Sequence, residues 1–418
     1  MDTNPRAAGP PRASESDIRL NQVQPKRVRF GAFISPIHAP SINPTLALKS
    51  DVNLIVRLDE LGFDEAWIGE HHSSGWEYVG APDLILAHLI SQTRRIRLGT
   101  GVISVPYHNP FHVADRMLLL DHLSSGRVML GVGPGALPFD AVSLGIDPLD
   151  ARRMLDEGLE VILALFRGER VSRTTDWFEL KDAHLQLPAY SSPHLEVAVS
   201  SLHTPGGPKL AGKYGTSMMM FNPTQQAGFD ALNNQWQIVE DQAAEYGQSV
   251  SRDNWRLVAP MFVAETESEA RRQVMVGVDR WCYYMKKVAT LPILPPSDDT
   301  EASIDALVDS GFAVIGTPTR AIEQIERLYE RSGGFGTFLV WANDWATPAA
   351  THRSFELLAS EVMPRFDSRS SQLLDAESRA LQTRGALAPL ASAARQKAAD
   401  DYALERKMQV ENKFPPDA

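Results

Sequence analysis

The chain has 418 residues, of which 43% are hydrophobic and 22% are charged. This composition is typical of a globular protein and excludes a collagen, a coiled coil and a mostly disordered chain. With 41 basic and 52 acidic side chains the formal net charge is −11, which opposes nucleic acids and anionic membranes as partners. The single cysteine, Cys282, excludes an internal disulfide and a multi-cysteine zinc site, so we expect a reducing, cytoplasmic compartment.

The two ends of the chain differ in composition from its middle. Residues 1–26 are polar and rich in proline, without the apolar core of a signal peptide, and predict a flexible N-terminal arm. From residue 367 onward the sequence becomes rich in alanine and glutamine, which predicts a helical or partly disordered tail over residues 367–418. No run of about 18 apolar residues occurs, so we expect no membrane-spanning helix. Residues 27–366 are predicted to form one domain.

Eight apolar runs alternate with helical patterns in this domain. The runs lack the alternation of a strand with one wet face, and so predict parallel strands that are buried on both faces. The predicted strands are Val28–Ile34, Glu65–Gly69, Ile96–Ile103, Arg127–Val132, Leu195–Ser200, Thr216–Phe221, Trp255–Ala264 and Phe338–Trp341. Eight strand–helix repeats favour an α/β fold of the (β/α)8 type, a TIM barrel. An open, doubly wound sheet, which needs fewer strands, is the alternative.

Two insertions interrupt the repeat. Gly135–His194, after the fourth strand, is too long for one connection and must contain extra elements. Thr290–Ser303, after the seventh strand, contains three prolines and no helical period, which predicts a surface loop. A long loop in a compact barrel is either a mobile lid or simply disordered.

The loops at the carboxyl ends of the strands carry the active site of a TIM barrel. Glu70, His71 and His72 follow the second strand. Glu70 is a candidate general base, or a buried partner that fixes the tautomer of a histidine. Two adjacent histidines on an extended backbone point in opposite directions, so we expect only one of them to face the cavity.

His108 and His112 have a spacing that can bind a metal ion on a helix. Pro110 lies between them and begins a helix, so the two side chains do not share one helical face. We therefore predict no metal site.

The segment after the fifth strand is a candidate anion site. Thr204, Gly206 and Gly207 begin a helix there, and glycine amides at a helix N-terminus let a phosphate approach closely. The alternative is an ordinary helix N-cap by Thr204. The remaining rim is apolar or aromatic, which suits a planar ring and an oily substrate. The residues predicted to line this substrate pocket are Trp76, Tyr107, His108, Met219 and Trp341.

Two long motifs resemble a known family. LGFDEAWIGEHH (61–72) and RIRLGTGVISVPYHNPFHVADRMLLLDHLSSGRVMLGVGPG (95–135) are similar to the bacterial luciferase-like, flavin-dependent monooxygenases, in particular the limonene monooxygenase-like FMN-dependent oxygenases. The resemblance extends from about Val28 to Phe366.

The resemblance implies a function and its partners. It implies a barrel that binds reduced FMN and uses O2 through a flavin C4a-hydroperoxide to oxygenate an apolar small molecule such as a terpene, polyketide or ketone. It also implies a separate NAD(P)H:flavin reductase and a homodimer. The alternatives are an F420-dependent hydride-transfer oxidoreductase, a non-catalytic flavin-binding relative, and a cofactor-free hydrolase or lyase that uses Glu70 with Asp344.

The resemblance also implies roles for single residues. His71 would lie beside the flavin as an acid/base or hydrogen-bond donor, supported by Glu70 and His72, and an ordinary histidine pKa of about 6.5 would let small shifts choose its charge. Thr100, Gly101 and Val102 would contact the flavin ring, with a non-proline cis peptide in this stretch.

For the phosphate of FMN, the matching positions are Ser200, Ser201, Thr204, Gly206 and Gly207. One departure is Pro134, which stands where luciferases have an arginine near the phosphate. We therefore expect phosphate binding to depend on backbone amides and hydroxyl groups. The family's lid after the seventh strand matches Thr290–Ser303.

Overall fold

A computed structural model describes residues 27–289, 299–367 and 371–413. The predicted arm, residues 1–26, lies outside this part of the chain. By its internal contacts the chain divides into one unit that ends at Phe366 and a second unit of residues 367–418.

Eight parallel strands close into a ring in the first unit, and they confirm the predicted barrel. These strands are β1 Arg29–Ile34, β2 Glu65–Ile68, β3 Arg97–Thr100, β4 Val128–Gly133, β5 Glu196–Ser201, β6 Ser217–Phe221, β7 Trp255–Val263 and β8 Thr337–Ala342. Each strand pairs with its neighbours along the chain, and β8 pairs with β7 and with β1, which closes the ring. The closed ring excludes the doubly wound sheet. Every position of β2, β7 and β8 is buried, as expected for parallel strands inside a shell of helices.

Helices cover the outside of the ring. In the described residues of the first unit they are α1 Pro44–Leu61, α2 Pro82–Ile90, α3 Pro110–Ser124, α4 Pro138–Ser143, α5 Ala151–Phe166, α6 Gly206–Tyr214, α7 Gln226–Glu245, α8 Glu267–Tyr283, α9 Thr300–Asp309, α10 Pro318–Ser332 and α11 Pro348–Leu357. The second unit contains a separate helix, α12 Ser371–Lys413. Local signals set several of their ends. The side chain of Asn43 accepts a hydrogen bond from the backbone N–H of Leu46 and caps α1, and Gly62 ends this helix with a φ of 87°.

The insertion after β4 contains α4, α5 and an antiparallel hairpin of Val171–Thr174 with Glu179–Ala183. The insertion after β7 is also more ordered than predicted. There α8 continues into a π-helical turn, Tyr284–Val288, and a short strand, Val314–Gly316, pairs with β7.

The prediction of a loop over Thr290–Ser303 is wrong in its last part, because α9 begins at Thr300. The side chain of Asp299 accepts a hydrogen bond from the backbone N–H of Glu301 and caps this helix. Residues 290–298 lie outside the described residues, so their predicted role as a lid stays a prediction.

Large side chains fill the interior of the barrel. Phe33, Trp67, Met129, Met219 and Leu339 come from five different strands and are all buried in one cluster. The barrel is therefore a packed core with two ends, which we call the floor (amino ends of the strands) and the mouth (carboxyl ends).

The floor holds a buried ion cluster. Nε and Nη2 of Arg256 donate to the two carboxylate oxygens of Glu65 over 2.7 and 2.9 Å. Nη1 of Arg256 lies 2.8 Å from Oε1 of Glu196. The side chains of Arg256 and Glu65 are completely buried. Burial alone would raise the pKa of Glu65, but the charge and the hydrogen bonds of Arg256, together with the charge of Arg97, outweigh burial and hold this pKa below its usual value.

The second unit consists of α12, in which every described side chain from residue 372 to residue 409 is exposed. Across the described ranges, no helix combines the length and the apolarity that a membrane crossing requires.

Candidate active site

His71 lies at the mouth, in the loop after β2, and both of its ring nitrogens contact carboxylates. Nδ1 is 2.9 Å from Oδ2 of Asp140 on α4, and Nε2 is 2.9 Å from Oε2 of Glu77. A neutral imidazole has only one N–H, so two ionised carboxylates require the protonated ring. Burial by itself would lower the pKa of His71, but Glu77 and Asp140 raise it to about 10. The ring is therefore a cation at neutral pH, and its pKa is raised too far for small shifts around about 6.5 to choose its charge.

His72 faces a different carboxylate from that of His71. Its Nε2 donates to Oε1 of Glu70 over 2.7 Å, and Nε2 of His108 donates to the same oxygen over 2.8 Å. The second oxygen of Glu70 accepts the backbone N–H of Ser104. Burial would raise the pKa of Glu70, but the hydrogen bonds from His108 and His72 outweigh burial and lower it. Three donors hold the anionic carboxylate of Glu70. This geometry favours a structural role for Glu70 over a role as a general base.

Glu70, His72 and His108 have the donor set of a metal site, with one atom from each within 4.8 Å of the others. Their N–O distances of 2.7 and 2.8 Å are those of charge-assisted hydrogen bonds. Tetrahedral ligands around a zinc ion, with bonds of about 2.1 Å, would lie about 3.4 Å apart. The hydrogen bonds account for the arrangement without an ion.

The predicted strand Ile96–Ile103 is interrupted at the mouth. β3 ends at Thr100, a cis peptide joins Gly101 to Val102, and a separate short strand, Ile103–Ser104, pairs with β4. The resemblance implied a cis peptide in this stretch. A Cβ on Gly101 would lie 2.6 Å from the ring of Phe33, so only glycine fits here.

Thr100 has a structural role in the described state. Its hydroxyl is fully buried, donates to the carbonyl of Gly131 and accepts the N–H of the same residue, each over 3.0 Å. Its side chain thus joins β3 to β4. Its predicted contact with a flavin would have to use the backbone.

The predicted anion site lies at the N-terminus of α6, after β5. The N-cap position of α6 is Pro205, and no side chain caps the helix. The alternative of an N-cap by Thr204 is therefore wrong. The first N–H groups of α6, which include those of Gly206 and Gly207, have no partner within the helix. The hydroxyl of Ser201 instead contacts Gln235 on α7 over 3.0 Å, so its side chain is engaged away from this site.

Arg152 on α5 is a candidate site residue that the sequence did not indicate. Nη1 of Arg152 contacts the position that a Cβ of Gly206 would occupy, so the glycine lets a guanidinium reach the end of α6. Within the described ranges Arg152 has no carboxylate partner, whereas the adjacent Arg153 contacts Asp150, Glu157 and Asp176. An unpaired cation beside the positive end of a helix favours a bound anion. The pairing depends on tertiary structure, so no sequence signal could have revealed it.

The site residues gather at one side of the mouth. Because β2 to β5 are consecutive parallel strands of one ring, His71 and the start of α6 both follow carboxyl ends. Close contacts connect them. A Cβ on Gly133, the last residue of β4, would lie 2.7 Å both from the side chain of Val102 and from the hydroxyl of Ser200.

The predicted substrate pocket is only partly at the mouth. Trp76 packs against the rings of Tyr283 and Tyr284, and Trp341 packs against Trp281. These contacts join the loop after β2 and the end of β8 to α8. Met219, in contrast, is completely buried within β6 and fills the barrel interior.

Tyr107 and His108 lie at the edge of the mouth. The hydroxyl of Tyr107 occupies the space that a Cβ of Gly135 would need, and its ring lies 5.8 Å from that of His72. Burial raises the pKa of Tyr107 to about 12, with the charges of Asp140 and Glu70 acting in the same direction.

A second histidine between two carboxylates was also missed. Nε2 of His38, after β1, is 3.0 Å from Asp51 on α1, and its Nδ1 is 3.3 Å from Asp344, after β8. Burial would lower the pKa of His38, but the hydrogen bonds to Asp344 and Asp51 raise it to about 9. Asp344 thus contacts His38, whereas Glu70 contacts His72, His108 and Ser104, so the two carboxylates have different partners.

Comparison with known proteins decides the family. The sequence profile described as luciferase-like monooxygenase matches residues 28–334. The chain belongs to this family. It is 44% identical over 384 residues to limonene 1,2-monooxygenase from Rhodococcus erythropolis, which covers 92% of this chain and 98% of the relative. It is also 44% identical over 348 residues to 4-hydroxyprotoasukamycin monooxygenase from Streptomyces nodosus subsp. asukaensis, covering 82% and 93% of the two chains.

A solved structure extends the comparison. The oxygenating constituent of 3,6-diketocamphane monooxygenase from Pseudomonas putida, in complex with FMN, has a TM-score of 0.69 and 25% identity, and the match covers 81% of this chain and 98% of that one. The predicted family and barrel are therefore confirmed, and the protein is an enzyme of the monooxygenase class.

Proposed function

We propose that this enzyme is the oxygenase component of a two-component system, which uses reduced FMN and O2 to insert one oxygen atom into an apolar small molecule. The observation that carries the proposal is the arrangement at the mouth. An imidazolium at His71 follows β2, the backbone of Gly101 and Val102 follows β3, and an uncapped helix N-terminus with an unpaired Arg152 follows β5, all at the carboxyl ends of consecutive strands. When bound, reduced FMN supplies the electrons that activate O2.

The phosphate end of this site fits FMN. The N–H groups of Gly206 and Gly207 and the guanidinium of Arg152 would hold the phosphate, because all three present positive charge at one point. A Cβ on Gly207 would lie 2.5 Å from the carbonyl of Ser200, so the backbone approaches closely here. Arg152 on α5 would supply the guanidinium that Pro134, in the loop after β4, cannot supply.

The ring end of the site fits a planar cofactor. The backbone of Gly101 and Val102 would lie against the ring, and His71 would supply a fixed positive charge. Because both N–H groups of His71 are donated to Asp140 and Glu77, the proposed role is that of a cation rather than of a base. Burial of Trp76 and Trp341 excludes water from this side of the mouth.

The phosphate assignment is tested by comparing FMN with riboflavin, which lacks the phosphate. We expect Arg152→Ala to weaken the binding of FMN by about tenfold or more, since hydrogen bonds to charged groups contribute about 1.5–3 kcal/mol. Riboflavin binding should not change. Arg153→Ala is the matched control, because Arg153 is adjacent but engaged by carboxylates. Equal losses for both ligands would place the phosphate elsewhere.

The oxygenase assignment is tested with chemically reduced FMN and 18O2. We expect one labelled oxygen atom in an apolar product, with limonene and bicyclic ketones as first substrates because the relatives act on such compounds. Any NAD(P)H:flavin reductase should substitute for the chemical reductant. A product formed without O2 would favour the F420-dependent alternative, and FMN binding without turnover would favour a non-catalytic relative.

We also propose that the enzyme is a homodimer. Leu84 on α2 and Leu119 and Leu123 on α3 expose apolar side chains on neighbouring helices, which is a surface suited to a second copy. Light scattering tests the assembly. A monomer at micromolar concentration would contradict it.

A further inference from the structure

A continuous line of hydrogen bonds crosses the mouth through His71. Asp140 on α4 is 2.9 Å from Nδ1 of His71, and Nε2 of His71 is 2.9 Å from Oε2 of Glu77. The other oxygen of Glu77 accepts the hydroxyl of Tyr284 over 2.6 Å. Tyr284 begins the π-helical turn at the end of α8. The insertion after β4 is therefore joined to the insertion after β7 by way of this imidazole.

The carboxylates of Glu77 and Asp140 are both buried, and each of their oxygens has a hydrogen-bond partner. Glu77 is 6% exposed and Asp140 is 1% exposed. Each oxygen of Glu77 has a partner, and the second oxygen of Asp140 accepts the N–H of His72 and the hydroxyl of Ser73. A carboxylate that is held at both oxygens cannot rotate without losing a bond. The orientation of the His71 ring is thus fixed from both sides.

The groups that face the line are few. Asp140 and Ser73 approach from α4 and from the loop after β2, and Tyr284 approaches from α8. His72 adds a like charge when it is protonated, and Tyr107 is neutral at its raised pKa. The two carboxylates outnumber the single imidazolium, so removal of either carboxylate should change the charge of the ring.

We propose that Glu77 is a positioning residue, which holds His71 as a cation across the mouth and, through Tyr284, makes this arrangement depend on the docking of α8. The proposal rests on the proposed function in one respect, since the role of His71 in chemistry presumes a flavin at the mouth. The hydrogen-bonded line itself requires no ligand.

The charge of His71 is measured on the ligand-free protein by NMR of 13C,15N-labelled histidine, with the resonance assigned by its loss in His71→Gln. We expect Glu77→Gln to lower the pKa of His71 by about 1 to 3 pH units, the usual effect of one nearby opposite charge. The folded state is checked by circular dichroism. An unchanged titration in a folded Glu77→Gln protein overturns the proposal.

The dependence on α8 is measured with a matched pair of tyrosines. Tyr284→Phe removes only the hydroxyl that Glu77 accepts, while Tyr283→Phe is the control, because Tyr283 also packs on Trp76 but is exposed. We expect the ring N–H groups of His71 to exchange with water about fivefold to tenfold faster in Tyr284→Phe, as for the loss of one hydrogen bond. Equal exchange rates in both variants would contradict the coupling.

These outcomes are separate from those of the proposed function. If FMN fails to bind while Glu77→Gln shifts the titration of His71, the proposed cofactor is wrong and the positioning role stands. If FMN binds and the titration does not move, the positioning role is wrong and the cofactor stands.

Discussion

The floor and the mouth of the barrel both bury charge, but they use different cations. At the floor, the guanidinium of Arg256 is completely buried between Glu65 and Glu196. At the mouth, the imidazoliums of His71 and His38 each lie between two carboxylates. Arginine cannot lose its proton in a protein, whereas a histidine can. The charge of the floor is therefore fixed, whereas the charge of the mouth can change with pH.

This difference follows from what each end does. At the floor a permanent cation and two carboxylates form a buried ion cluster. Under the proposed function the mouth admits a cofactor and a substrate, and its charged side chains come from the loops and helices that follow the strands. Stability should therefore depend most on the floor, and the response to pH should come from the mouth.

The largest effect is expected at the floor. Arg256→Met leaves Glu65 buried without its counter-ion and should lower the free energy of unfolding by about 3–5 kcal/mol. The measurement is urea unfolding followed by fluorescence. The double variant Arg256→Met with Glu65→Leu should recover part of the loss, because it removes both charges. If the double variant is less stable than the single variant, the unpaired charge of Glu65 is not the cause of the loss, and this prediction is wrong.

A smaller loss of stability but a larger loss of activity is expected at the mouth. His71→Gln retains a hydrogen-bond donor but removes the cation between Asp140 and Glu77, so we expect about 1–3 kcal/mol of destabilisation. Product formation should fall by at least about a hundredfold, the range for the loss of one preorganised electrostatic group. Full activity in a folded His71→Gln protein would sink the assigned role.

The pH dependence of stability should also separate the two ends. The pKa values of His71 and His38 are raised to about 10 and about 9, above about 6.5 in the unfolded chain. Their contribution is then fully present below about pH 6.5 and is lost as the pH rises through 9 to 10. The lowered pKa of Glu65 acts only in acid, where stability is lost as the pH falls below its ordinary value. Thermal unfolding from pH 6 to 10 measures the alkaline loss, which should be reduced in His71→Gln.

The smallest effect is expected at the start of α6. Thr204→Ala should change the free energy of unfolding by less than about 0.5 kcal/mol, because no side chain caps this helix. Asn109→Ala is the matched comparison. Its side chain accepts the N–H of Phe111 and caps α3, so its loss should cost about 1 kcal/mol. Similar losses in both variants would mean that Thr204 does cap α6 in solution.

The order of the barrel strands could be predicted because buried parallel strands leave continuous apolar runs in the sequence. Helix ends could be predicted where a local residue decides them, as at Gly62. The helix α9, which begins at Thr300, was not predicted because its N-cap, Asp299, follows three prolines, which favour a loop.

The location of the candidate site could be predicted from the sequence, but the side-chain partners within it could not. That His71 lies at the mouth follows from the barrel, but its partner Asp140 is 69 residues away and was not considered. Arg152 was missed for the same reason, since its relation to Gly206 exists only in the folded chain. Side-chain pairing over such separations is set by tertiary packing, and local sequence patterns contain no information about it.

The most direct test of the account is a crystal structure with FMN bound under anaerobic conditions. We predict the phosphate at the N-terminus of α6, within about 3 Å of the guanidinium of Arg152, and the ring against Gly101 and Val102 on the side of His71. A phosphate at another loop, or a ring that does not reach the loop after β2, would contradict the central claim that one ligand joins these two parts of the mouth.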